Sequence, residues 1–221
     1  MSELVKFDES LRILLMNVAK KYENYFIKKE VTYIYRDKNN KRRMLVIRAQ
    51  PQNFMHLCGI KCYGDGKGIP MGECNSDTSK GASKFYNDCI EGKIKLNDIF
   101  YNQIQAVQIK LNALTAIDYL FSQGVCVCPS GNFERLMFDN AIRTNNIVLA
   151  ITLKSIGSTG SIPNSAIDLR KSKSNSKSFS ETYRVTSIRI KDLTDESVHE
   201  IKFELVSKKK KKKEKRKKRK G

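Results

Sequence analysis

Tryptophan is absent from this chain, and histidine nearly so: His56 and His199 are the only two in 221 residues. A metal centre built on three histidines is thereby excluded. The cysteines do not replace it. None of Cys58, Cys62, Cys74, Cys89, Cys126 and Cys128 forms the tight C-x-x-C knuckle of a structural zinc site, so no metal is expected. The glycine-rich GDGKG that starts at Gly64 lacks the full G-x-x-x-x-G-K-[ST] pattern of a phosphate-binding loop, and no cofactor is expected. No apolar stretch approaches membrane-spanning length. Met1–Asp8 is polar and acidic and has no apolar run of the kind an export signal carries. The expectation is a cytoplasmic protein with no membrane partner and with reduced, buried or incidental thiols.

Acidic residues are also scarce: 23, against 42 lysines and arginines, for a net charge of +19 and a pI near 9.7. Much of the excess sits in one tail. Lys208 to Lys220 holds twelve basic residues and one glutamate, leaving a body that is basic too, only less so. Such a chain suits a polyanionic partner, of which nucleic acid is the commonest. Binding through phosphates releases counterions and should weaken steeply with salt. The tail residues Lys208, Lys209, Lys210, Lys211, Lys212 and Lys213 are candidate nucleic-acid contacts. The segment from Ser207 cannot bury apolar surface and is expected to be disordered.

The body reads as helix, hairpin, helices, then strands. Ser10 is placed to cap a helix running to about Tyr25, with Leu11, Leu14, Leu15, Val18 and Tyr22 on one face. Val31–Arg36 and Arg42–Arg48 flank a polar turn and form a hairpin. A glycine-rich loop, Gly64 to Ser79, precedes a helix from about Lys80 to Glu91 that Gly92 stops. Gln103 to Ser122 is the best helical stretch, with Gly124 at its end. Strands are expected at Val125–Cys128, Arg135–Phe138, Ile147–Lys154, Tyr183–Lys191 and Glu200–Val206. Lys154–Ser178 reads as a polar, serine-rich connection, and Arg143 and Asn145 as turn residues. The fold class is α+β: an N-terminal helix and hairpin, inserted helices, and an antiparallel β-sheet over residues 1–206, with a polybasic tail at 207–221.

His56 is the focus. It lies on the short segment that opens at Pro51, after the return strand of the hairpin. Its near neighbours are Phe54, Met55, Leu57 and Ile60. Histidine is the side chain whose ordinary pKa lies nearest neutral pH, so His56 can serve as base or acid. The plainer reading is a core histidine with locally satisfied nitrogens. Cutting RNA without a metal needs a base for the 2′-hydroxyl, an acid for the leaving oxygen, and cations for the charge on phosphorus. Arg48, Lys154 and Arg170 could hold phosphate, with Lys171 beside them, and Ser165 could donate a hydrogen bond. His199, among charged residues near a turn, is expected to be exposed and idle.

The run FMHLCGIKCYG, set after a hairpin strand, resembles the F-x-H-L-x-G-L segment of a phage-associated nuclease family. That family is grouped with Barnase, EndoU, colicin and RelE toxins as the BECR fold, and the resemblance is to its fourth phage subtype. KFYNDCIEGKIKLNDI resembles the family's helix, glycine and short second helix. RLMFDNAIRTNNIVLAITLK resembles its paired strands, and SIPNSAIDLRK its P-x-S segment. The resemblance runs from about Met1 to Val206. It implies a metal-independent RNase, a toxin or defence effector, with the active site on the sheet. Position by position it favours His56 and then Ser165. A cognate antitoxin or immunity protein is a possible partner. The glycine- and cysteine-rich loop and the lysine tail depart from the family pattern. The alternative is a non-catalytic module that grips nucleic acid through tail and sheet.

Overall fold

The computed structural model describes residues 8–64, 78–133, 136–146, 148–170, 179 and 181–204. Most of the glycine-rich loop, Lys171 and the tail with Lys208 to Lys213 lie outside the described residues.

Helix α1 spans Glu9–Phe26 and buries Leu11, Leu15, Val18, Ala19, Tyr22 and Phe26, the face its apolar spacing prescribes. Its cap is Asp8 rather than Ser10. The Asp8 carboxylate accepts the Leu11 N–H at 2.9 Å and the Ser10 hydroxyl at 2.7 Å. The expected hairpin follows as β1, Lys29–Arg36, and β2, Arg42–Ile47. Helix α2, Pro51–Leu57, leaves the end of β2. After β3 (Cys62–Tyr63) come α3, Thr78–Glu91, and a 3-10 turn leading to β4, Ile99–Phe100.

The long helix expected over Gln103–Ser122 is shorter. Helix α4 covers Ile104–Leu114, and a separate 3-10 turn covers Ile117–Phe121. Thr115 bonds its hydroxyl back to the Asn112 carbonyl at 2.7 Å, and Ala116 leaves helical geometry. A continuous apolar stripe did not register this break, because both pieces bury the same side.

The remaining strands are β5 (Cys126–Cys128), β6 (Gly131–Phe133), β7 (Leu136–Phe138), β8 (Asn140–Arg143), β9 (Leu149–Ser155), β10 (Ser161–Asp168), β11 (Tyr183–Asp192) and β12 (Val198–Lys202). Two readings are corrected here. The AIRTNN turn contains β8, with Arg143 at its end. The supposed serine-rich connection contains β10, which pairs with β9 in the middle of the sheet. Pro163 hid that strand. A bulge absorbs the proline: Pro163 faces Leu153 and Ser165 faces Thr152, leaving Asn164 as the extra residue.

The strand order is β1-β2-β10-β9-β8-β5-β11-β12, and β1 also pairs with β11, so the large sheet closes into a barrel-like ring. The pairing of β2 with β10 is parallel and rests on one register pair, Ser161 with Ile47. At this narrow join the chain leaves β2 for α2, and α2 packs on β10 and α3. One main core unites α1, α2, α3 and α4 with the ring. A second, smaller cluster of Cys128, Phe138, Ala141, Ala150, Ile167, Leu169 and Phe179 lies on the other face of β9.

Cysteine chemistry differs in part from expectation. Cys58, Cys89, Cys126 and Cys128 are free, whereas Cys62 is disulfide-bonded, with its partner outside the described residues.

Candidate active site

Local sequence positions α2 tightly. Pro51 occupies its first turn, where a missing N–H costs nothing. The Gln50 N–H donates to the Asn53 side-chain oxygen at 2.9 Å, and the Tyr22 hydroxyl donates to the Gln50 carbonyl at 3.1 Å. Phe54 is fully buried, with its ring centroid 5.3 Å from Tyr22, 5.7 Å from Tyr86 and 6.0 Å from Phe85. Truncating such an anchor costs about 3–5 kcal/mol.

The end of α2 explains the spacing of the H-L-x-G run. Gly59 has φ +77°, and its N–H donates to the His56 carbonyl at 3.0 Å. The Ile60 N–H reaches the Met55 carbonyl at 3.1 Å, with both side chains buried. This is the paired-bond helix stop that requires a left-handed residue, and glycine supplies it. Met55 and Leu57 point inward while His56, between them, is exposed. The glycine therefore fixes the turn that presents the imidazole.

Two cations act on that imidazole, Lys110 of α4 and Lys154 of β9. Partial burial first, then these two positive charges, push the His56 pKa below the ordinary 6.5. At neutral pH the ring is therefore uncharged and able to take a proton. Neither ring nitrogen has a hydrogen-bond partner among the described residues. Lys110 is half-buried, and burial pushes its pKa down as well. Its ammonium donates to the Ser165 hydroxyl oxygen at 2.9 Å. Neither lysine forms an ion pair among the described residues. Beside Lys110, burial raises the Cys58 pKa, so this sulfur stays a neutral thiol and is no nucleophile.

Of the residues singled out from sequence, His56, Lys154 and Ser165 thus fall in one cluster. Arg48 and Arg170 are engaged elsewhere. Arg48 donates its Nε–H to Glu30 at 2.8 Å. Arg170 grips the buried Asp168 with two bonds, of 3.0 and 2.8 Å, at the far end of β10 from Lys154. His199 is exposed on β12, and no metal-ligand cluster of three or more groups occurs among the described residues.

Lys110 is the residue that sequence reasoning missed. It lies beside the apolar stripe of α4, three residues after Val107 and next to Leu111. That flank position half-buries the stem, the one signal that could have marked it.

A model of the phage-Barnase-EndoU-ColicinE5/D-RelE like nuclease 4 family matches residues 14–218. The chain belongs to that family. No curated protein and no solved structure matches it. As a member of this nuclease family, the chain has nucleic acid as its implied substrate class. No helix among the described residues is long and apolar enough to cross a membrane.

Proposed function

We propose that the protein is a metal-independent endoribonuclease, acting as a toxin or phage-associated effector. The observation that carries this reading is an exposed imidazole under the charge of Lys110 and Lys154, two cations with no carboxylate partner among the described residues.

In this mechanism His56 removes the proton of a ribose 2′-hydroxyl. The freed oxygen attacks the adjacent phosphorus, and the bond from phosphorus to the 5′-oxygen breaks. Lys110 protonates the leaving oxygen, since burial makes its ammonium more acidic than an ordinary lysine. Lys154 balances the negative charge that builds on the phosphoryl oxygens. Ser165 holds the Lys110 ammonium in place through its oxygen and keeps its own proton free to donate. The products are a 2′,3′-cyclic phosphate and a 5′-hydroxyl. The metal-free route is supported by the donor set, because two ammonium groups repel a divalent ion rather than hold it.

The test is cleavage of labelled RNA in EDTA by wild type and His56→Ala, with the product ends mapped. Wild type should cut, leave cyclic phosphate, and spare an all-2′-deoxy strand. Equal cleavage by His56→Ala, or equal cutting of the deoxy strand, would falsify the proposal.

A further inference from the structure

A hollow of about 630 Å³ shares Lys154 with the candidate site and is lined also by Gly131, Asn132, Met137, Asp139 and Ser155. Lys154 belongs to both places: its charge acts on His56, and its side chain walls the hollow. From this continuity we infer that the hollow receives the nucleobase next to the scissile phosphate, with Asn132 reading its edge and Met137 packing on its face. The inference rests on the ribonuclease reading only in taking the ligand to be a ribonucleotide.

The wall is a small hairpin, β6 with β7, built to hold two side chains outward. Its register pairs Gly131 with Phe138, Asn132 with Met137, and Phe133 with Leu136. Cross-strand partners share a face. Phe138, Phe133 and Leu136 therefore turn inward to the smaller core, where Phe179 stacks 5.2 Å from Phe138 and lies 5.9 Å from Phe133. Gly131 admits this packing, since a β-carbon there would meet the Phe138 ring at 2.9 Å. Asn132 and Met137 are left side by side on the outer face.

Both are exposed without structural need. Met137 is 77% exposed, the highest value among the large exposed apolar residues described. The Asn132 side chain makes no hydrogen bond among the described residues. A free amide offers a donor and an acceptor side by side, the pattern a base edge requires. A polarizable thioether supplies an adaptable apolar surface for the base face. Proteins that recognise RNA by sequence commonly take an unstacked base between such groups.

The floor is rigid. The Asp139 carboxylate accepts the Ser155 N–H at 2.8 Å, and the Asp139 N–H donates to the Leu153 carbonyl at 3.1 Å. The hairpin is thereby pinned to the strand that carries Lys154. A phosphate held by Lys154 and a base held by the hairpin would be parts of one nucleotide.

The test titrates the full chain with each of the four ribonucleoside 3′-monophosphates and with inorganic phosphate, by calorimetry or NMR. Wild type should rank the four bases over about tenfold, the span of one good hydrogen bond. Asn132→Ala should flatten that ranking, and Met137→Ala should weaken all four by about fivefold without changing phosphate binding. A wild-type chain that binds the four no better than phosphate overturns the inference. So does an unchanged ranking in Asn132→Ala, or unchanged affinities in Met137→Ala. RNA cleavage is scored separately. A chain that cuts RNA and fails these titrations loses the base pocket and keeps the nuclease. One that passes them without cutting loses the nuclease and keeps the pocket.

Discussion

The stem of Lys110 runs across Gly59, so close that a β-carbon on that glycine would sit 3.0 Å from Lys110 Cδ. One small residue therefore serves two ends. It stops α2 just after His56, and it leaves the passage by which a lysine from α4 reaches Ser165 on β10.

Gly59→Ala should damage both. A left-handed alanine costs about 1–2 kcal/mol, and the lysine stem must shift. The expected result is a modest loss in chemical denaturation and a larger loss in RNA cleavage per folded molecule. A variant with wild-type cleavage would show that the lysine's path is immaterial.

The pH dependence follows from His56. Its folded pKa lies below 6.5, so the unfolded chain binds the proton more readily. Its contribution to stability is present above pH 6.5 and is lost as pH falls through the folded value. Activity should follow the same group. Cleavage should fall on the acid side as one proton binds, with an apparent pKa below 6.5. Lys154→Gln removes one of the two repelling charges and should move that limb upward. A pH–rate profile of both proteins checks the direction.

Lys110→Met should separate stability from activity. The lysine's pKa is lowered by burial, so its charge is a burden on the folded state that eases as pH rises through the folded value. Replacing it by an apolar chain of similar length should leave the melting temperature unchanged or raised. Cleavage should fall by about 10²–10³, the usual loss when one stabilising donor is removed. Paired thermal and kinetic measurements read both.

Arg170→Ala should show the reverse pattern. Asp168 has a side chain only 2% exposed and takes two bonds from the Arg170 fork. Losing them should cost about 1–3 kcal/mol in denaturant unfolding. Cleavage per folded molecule should stay near wild type. A strong fall in cleavage at full stability would return Arg170 to the phosphate-binding role first read from sequence.

Much of this molecule was legible before its fold. Local patterns betrayed two elements: α1 by its three- and four-residue spacing, the β1–β2 hairpin by β-branched and aromatic residues on either side of a polar turn. His56 stood out by rarity and by the glycine three residues on. Other features were hidden for physical reasons. β10 was obscured by Pro163 because the bulge that excuses a proline is a property of the strand pair. The break after Leu114 was masked because both helical pieces bury the same stripe.

The amino-acid order alone determined the basic character, the α+β class, and the short segment opening at Pro51 that carries His56. These depend on charge, on hydrophobic period, and on backbone bonds between near neighbours. Only the tertiary structure decided that Lys110 and Lys154 flank the imidazole while Arg48 and Arg170 are held by carboxylates. An ion pair or a shared hollow is set by where three separate elements meet, and no local pattern records that meeting. The join of β2 to β10, with α2 and α4 both packed on β10 beside β9, brings those elements together.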